Sequence, residues 1–311
     1  MKTKFLIIGD LHGNKPKIHF KDFDAIIAPG DFCSDKYIRK FKLKWKKANK
    51  KSKNVIDFEE FIGQRLGKDK WKEIEAQSLQ EGRKILEHLN SFGKPVFIIP
   101  GNWDQSYKGK STTMPKDYAN YIIKFFQFWM AKKTNPVLIN GLKNIVDCQM
   151  RVVNFRDLQF VGYGLSSAPE LNAARKNKLK NNKFYSEVLK TYTLLENMVF
   201  NLFKITNGKN QIIFLSHNVP YNTKLDILIN KQSKLNKMHM GSIISRKAII
   251  KFKPLVCIGG HMHEHFGKDN IGKTVVINAG FGSKVNTLLT IENNKIKELK
   301  FYPKPYTNKS Y

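Results

Sequence analysis

Phe5-Leu6-Ile7-Ile8-Gly9-Asp10-Leu11-His12 carries four apolar residues into a glycine and then into two side chains that bind metals. An apolar run of this length closed by glycine reads as a buried strand ending at Asp10. The same arrangement returns four times. Ala25-Ile26-Ile27-Ala28 leads to Gly30-Asp31, and Val96-Phe97-Ile98-Ile99 to Gly101-Asn102-Trp103-Asp104. Ile212-Ile213-Phe214-Leu215 leads to Ser216-His217-Asn218, and Leu255-Val256-Cys257-Ile258 to Gly259-Gly260-His261-Met262-His263. In α/β sheets, ligands bind in the crevice beyond the carboxyl ends of the strands. Five strand ends that deliver Asp, His and Asn therefore predict an α/β fold with one polymetal site.

The donor types sharpen that expectation. Asp10 and His12, two residues apart at a frayed strand end, should reach one ion together. A carboxylate such as Asp31 has two oxygens and can bridge two cations. Asn102 offers a neutral carbonyl oxygen, His217 an imidazole, and His261 and His263 should share a face across Met262. Nitrogen and oxygen donors without thiolate suit Mn, Fe, Zn, Ni or Co rather than Ca. Seven donors, Asp10, His12, Asp31, Asn102, His217, His261 and His263, exceed one tetrahedral zinc and fit two ions sharing a carboxylate. Each piece alone is ordinary, since Gly-Asp and Gly-Asn are common turn dipeptides. The information lies in the order of all five.

Between the motifs the pattern predicts strands at 136–139, 144–147, 151–155, 158–162, 274–278, 286–291 and 296–301. It predicts helices at 117–131, 184–203 and 242–252, the last with Ser242 as N-cap. Residues 33–92 form a basic stretch with two helical stripes, one through Ile38, Phe41 and Trp45 and one from Trp71 to Leu89, stopping at Gly93. We expect a single domain over 1–303, with 33–92 as a largely helical insertion and 304–311 as a flexible tail.

Composition sets outer bounds. The 311 residues are 41% hydrophobic, enough for a sizeable core, and no apolar run reaches the ~18–20 residues of a membrane span. The first strand starts so early that no signal peptide is expected, and three unpatterned cysteines argue against a disulfide framework. These features point to a reducing cytoplasm. The net charge of +30 invites a nucleic-acid partner, yet Lys, Asn, Ile and Phe are abundant together, as an AT-rich coding sequence would give.

With the motifs assembled, the chain resembles the calcineurin-like metallophosphoesterase superfamily. The superfamily order is D-x-H, G-D, G-N-H-D/E, a lone H, and G-H-x-H. Here it reads Asp10-Leu11-His12, Gly30-Asp31, Gly101-Asn102-Trp103-Asp104, His217 and Gly260-His261-Met262-His263. The stretches from Ser216 to Asp226, His239-Met240-Gly241-Ser242 and His261-Met262-His263-Glu264 resemble a prokaryotic branch. The resemblance implies a four-layer α/β/β/α sandwich of two mixed sheets. It implies one ion held by Asp10, His12, Asp31 and His263, and another by Asp31, Asn102, His217 and His261, with Mn²⁺ the expected metal. A water acidified between the ions would then attack phosphorus in line, hydrolysing a phosphodiester or phosphomonoester.

Trp103 departs from the pattern, because the superfamily usually places a histidine there to assist the leaving group, and indole donates no acidic proton. Asp104 is then expected to orient a water or a ligand histidine, and His239 is the candidate substitute acid. Asn14, His239, Asn102 and His217 are the expected substrate contacts. A nuclease of the same superfamily, a non-catalytic scaffold and a hydrolase of another ester class are the alternatives.

Overall fold

Alternation along the first strand divides its side chains between two interiors. Phe5 and Ile7 pack in one apolar cluster, Leu6 and Ile8 in another, and all four are fully buried. A strand buried on both faces needs a layer on each side. The computed structural model supplies them; it describes residues 1–51, 58–104, 117–208, 210–231, 233, 235–263 and 265–305.

The chain begins with β1 (Lys2–Ile7) and β2 (Ala25–Ala28). Three helices follow, α1 (Lys36–Lys51), α2 (Phe58–Leu66) and α3 (Lys68–Asn90), and then β3 (Val96–Ile98). Next come α4 (Tyr118–Trp129), α5 (Pro136–Ile139), β4 (Ile145–Asp147), β5 (Val152–Phe155) and β6 (Leu158–Tyr163). The remainder runs α6 (Ala173–Leu179), α7 (Tyr185–Lys204), β7 (Gln211–Asn218), α8 (Ile243–Phe252), β8 (Val256–Gly260), β9 (Gly267–Ile271), β10 (Thr274–Asn278), β11 (Asn286–Glu292) and β12 (Lys295–Tyr302).

Two mixed six-stranded sheets result, ordered β12-β11-β1-β2-β3-β4 and β5-β6-β7-β8-β10-β9. Parallel pairing joins β1 to β2, β2 to β3, β6 to β7 and β7 to β8, so the carboxyl ends that carry the motifs lie side by side. The sheets face one another through Phe5, Ile7, Ile27, Phe97, Phe160, Ile213 and Ile258. Phe97 and Phe160 stack across that interface with ring centroids 4.0 Å apart. The outer face of the first sheet is covered by Ile85, Leu86 and Leu89 of α3 and Leu138 of α5. That of the second is covered by α4, α7 and α8 through Phe126, Trp129, Leu195, Val199 and Ala248. The architecture is therefore the α/β/β/α sandwich.

Several expectations need correction. Residues 136–139 form the short helix α5 rather than a strand, because the Asn135 side chain accepts from the Val137 amide and Pro136 fits the first helical turn. The edge strand β9 was not expected, since Gly-Lys-Asp-Asn-Ile lacks apolar alternation and is held by its antiparallel ladder to β10. Helix α6 is another addition, capped by Asn172 onto the Arg175 amide. Ser242 does cap α8, accepting from the Ser245 amide. Residues 52–57 of the basic stretch, Glu264, and residues 306–311 of the expected tail lie outside the described residues.

Candidate metal centre

Strand geometry alone does not bring the donors together. β1 ends at Ile7 and β8 at Gly260, so Asp10, His12, His261 and His263 all lie beyond their pleats. Left-handed backbone turns aim them: φ is +42° at Asp10, +45° at His12, +57° at Asp31 and +66° at His261. Such angles are costly for non-glycine residues and persist where surrounding contacts enforce them. The loop after β1 is clamped along the loop after β2, with His12 N–H donating to Asp31 O at 2.8 Å and Gly13 N–H to Phe32 O at 2.8 Å. Gly101 must lack a side chain, because a Cβ there would collide with the Asp31 carboxylate.

The donors gather into two groups that share Asp31. Asp10, His12, Asp31 and His263 form one, and Asp31, His217 and His261 the other; within each group the donor atoms lie within 4.8 Å of one another. Asn102 joins the second, its Oδ1 3.1 Å from His217 Nε2. Asp31 Oδ2 sits 3.6 Å from His12 Nε2 and 3.5 Å from His217 Nε2. His263 falls in the first group and His261 in the second.

Several atoms face each other in ways that suit cations. His12 Nε2 and His263 Nε2 are 3.2 Å apart. Asp10 Oδ1 is buried without a hydrogen-bond partner among the described residues, while its Oδ2 accepts from the His261 amide at 2.7 Å. His217 Nδ1 lies 2.8 Å from Pro29 O, so Nδ1 carries the proton and Nε2 presents its lone pair when the ring is neutral. That lone pair would then oppose the Asn102 carbonyl oxygen, a contact that a positive charge between them relieves. The residues present thus fit a pair of divalent ions.

The electrostatics of the metal-free site are divided. Burial acts to raise the Asp31 pKa, but the charge and hydrogen bond of His217, with His12, hold it well below the usual carboxylate range. Burial acts to lower the His217 pKa, but Asp31 outweighs it and lifts the ring to about 9. Burial, reinforced by neighbouring histidines, pushes His261 down to about 3 and His263 down to about 4. Burial also raises Asp10 well above its ordinary value.

The other expected residues take distinct places. Asp104 is fully buried and contacts no ligand imidazole through its described hydrogen bonds. Instead its oxygens accept four backbone amides, those of Asp31, Phe32, Cys33 and Gly101, at 2.7–2.9 Å. Burial, with Asp31 alongside, pushes its pKa up to about 6, while the amides of Cys33 and Gly101 pull the other way. Trp103 donates its amide to Asp31 Oδ1 at 2.9 Å and packs edge-on to His12. Asn14 spends its amide donors on Leu11 O and His12 O, both at 3.0 Å, and lines a cleft of about 400 Å³ with His12, Ser34, Asp35, Lys36 and Glu81. His239 lies 2.6 Å through Nδ1 from the buried carboxylate of Asp226 and packs on Tyr221; its described contacts include none of the seven candidate donors.

One neighbour was missed at the sequence level. Asp35 Oδ2 lies 3.6 Å from His12 Nδ1 and pairs with Arg39. An acid four residues past Asp31 was the available signal, obscured because it reads equally as the start of the following helix.

The sequence matches the calcineurin-like phosphoesterase family over residues 3–265. The chain belongs to that family. The clustered donors are ones that could hold metal ions. It is 34% identical over 143 residues to an uncharacterized protein of Methanocaldococcus jannaschii, a match spanning 45% of this chain and 55% of that relative. A solved crystal structure superposes with a TM-score of 0.54 at 15% identity, covering 96% of this chain and 99% of the other, and shares the family fold. A dimetal phosphatase from Danio rerio gives a TM-score of 0.41 at 8% identity, covering 94% and 93%. Among the described residues no helix is long and apolar enough to cross a membrane.

Proposed function

We propose that the chain is a dinuclear phosphoesterase hydrolysing phosphodiesters or phosphomonoesters. One observation carries the reading: the Asp31 carboxylate lies between His12 and His217 and belongs to both donor groups. Asp10, His12, Asp31 and His263 would hold one ion, and Asp31, Asn102, His217 and His261 the other. Bound ions, Mn²⁺ first among the candidates, supply Lewis acidity that brings the pKa of water toward neutrality and neutralises phosphoryl charge.

The chain's own residues do the positioning. Asp104 fixes the backbone that presents Asp31, and Pro29 O fixes the tautomer of His217. Asn102 and His217 line the side of the centre where phosphoryl oxygens would rest. Trp103 offers no acidic proton, which favours diesters and good leaving groups. We assign His239 as the candidate acid: Asp226 holds Nδ1, which turns Nε2 outward for proton delivery. Asn14 has only its carbonyl oxygen left to offer a substrate. The three cysteines are buried and unpaired, in keeping with a cytoplasmic setting.

Metal analysis with Mn²⁺, together with hydrolysis of bis(p-nitrophenyl) phosphate and p-nitrophenyl phosphate, tests the reading. Two ions per chain and chelator-sensitive turnover are expected; fewer than two ions at saturation, or metal-independent turnover, would sink it. His239→Ala should slow alkyl esters far more than nitrophenyl esters, and equal rates remove His239 from the mechanism. The nuclease alternative draws on the basic helix α1 and requires nucleic-acid binding that weakens steeply with salt.

A further inference from the structure

Helix α1 belongs to none of the motifs, yet one of its faces meets the loops that carry the metal donors. Lys42 Nζ sits 4.5 Å from the centroid of the Trp103 ring, and the Trp103 amide donates to Asp31 Oδ1. Arg39, more than half exposed, is anchored through Nε to Asp35, whose carboxylate is 3.6 Å from His12 Nδ1. Lys36 lines the cleft that runs past His12 and Asn14. The three cations follow at intervals of three residues and so fall on one broad face of the helix.

A lysine-rich surface places ammonium groups in many positions by composition alone. These differ because they rest on Trp103 and Asp35, which touch the shared carboxylate and a candidate ligand. The Arg39 charge is also felt at His263, where it helps to depress the imidazole pKa. Asp35 uses one donor of the guanidinium, which has five and suits bidentate contact with phosphate.

We propose that Arg39 and Lys42 form a second-phosphate site beside the metal centre, so that the substrate class is a phosphate ester bearing a further phosphate group. Two ions neutralise only the phosphoryl group being hydrolysed. An additional phosphate on the same molecule needs its own cations, and α1 presents them at the rim. The proposal rests on the phosphoesterase reading for its substrate, but not for its binding chemistry.

The test uses the full chain loaded with Mn²⁺ and compares Arg39→Gln/Lys42→Met with Lys40→Ala/Lys47→Ala, which removes the same charge from elsewhere on α1. Calorimetry with methylenediphosphonate and methylphosphonate should show a preference for the former that falls about tenfold in the Arg39/Lys42 variant and holds in the Lys40/Lys47 variant. The kcat/KM preference for a nucleoside 3′,5′-bisphosphate or ADP over bis(p-nitrophenyl) phosphate should fall in parallel, chiefly through KM. The substrate that loses more shows whether the second phosphate is a separate ester or pyrophosphate-linked. An unchanged binding preference in the Arg39/Lys42 variant, or an equal loss in both variants, overturns the proposal. If the binding preference behaves as expected while no ester is hydrolysed, the rim stands and the phosphoesterase reading fails.

Discussion

The two donor groups share Asp31, but His217 in one and His263 in the other rest in opposite protonation states. On one side His217 is fully buried, tied to Pro29 O, and held protonated by Asp31. On the other, His263 keeps a quarter of its side chain exposed, faces His12 at 3.2 Å, and is held neutral. His263 and His261 offer ready lone pairs, whereas His217 must lose a proton before it could bind a metal. Asp31 favours a charge on both rings but prevails only at His217; at His263 burial and the neighbouring His12 outweigh it.

Removing that carboxylate should have the largest effect. Asp31→Asn is expected to abolish stoichiometric binding of both ions and to lower ester hydrolysis by ~10³-fold or more, about 4 kcal/mol of barrier. His217→Ala and His263→Ala should each lose only one ion. Metal analysis separates the cases; two ions retained in Asp31→Asn would break the picture of a shared bridge.

Asp104 comes next, because both half-sites depend on the loop it staples. Asp104→Ala leaves four buried amides without their acceptor, each costing roughly 1–3 kcal/mol when unsatisfied, with water recovering part. A loss of about 3–5 kcal/mol in urea denaturation of the metal-free protein is expected. A loss below about 1 kcal/mol would mean that the loop holds its shape without the staple.

Protonation distinguishes His217 from His261 and His263 directly. With its pKa at about 9, His217 contributes stability to the metal-free protein that is complete below its ordinary value near 6.5 and lost as pH rises through 9. His261 and His263 behave in reverse: their contribution is complete above 6.5 and lost as pH falls toward 4 and 3. Metal binding at pH 7 must therefore expel the Nε2 proton of His217, and Asp10 adds to the release wherever it is protonated. Affinity of the His217 half-site should rise about tenfold per pH unit from 7 to 9 and then level off. Calorimetry in buffers of different ionisation enthalpy would detect the proton, and its absence would show that Asp31 does not charge His217.

The motifs showed the donors, but they did not show how the donors meet. Hydrophobic runs closed by Gly-Asp, Gly-Asn and Gly-His were readable because burial on both faces of a strand demands unbroken apolar sequence, and polar donor side chains can follow only where the strand stops. The sandwich became readable through the family resemblance rather than through periodicity. What stayed hidden depends on tertiary contact. No local rule announces φ of +45° at His12, the four-amide grip of Asp104, or a polar edge strand such as β9 that exists because β10 lies beside it. Asp35 was hidden for the same reason, since its partner His12 is distant in sequence and its near neighbours favour a helix.

The smallest expected effect concerns Trp103, which touches the shared carboxylate from the backbone and His12 from the ring. Trp103→His restores a titratable group at this position, and a well-placed general acid contributes roughly 10²–10⁴-fold. Far less is expected here. An imidazole delivers a proton effectively only when a partner orients it, and the adjacent Asp104 has both oxygens committed to backbone amides. The variant should therefore speed alkyl phosphate esters by about 3–10-fold and nitrophenyl esters hardly at all. A gain near 10³-fold would mean that Asp104 can release its amides to serve the new ring. The loop carrying Asp31 would then be a yielding support, and the two half-sites would be less rigidly coupled than their common carboxylate suggests.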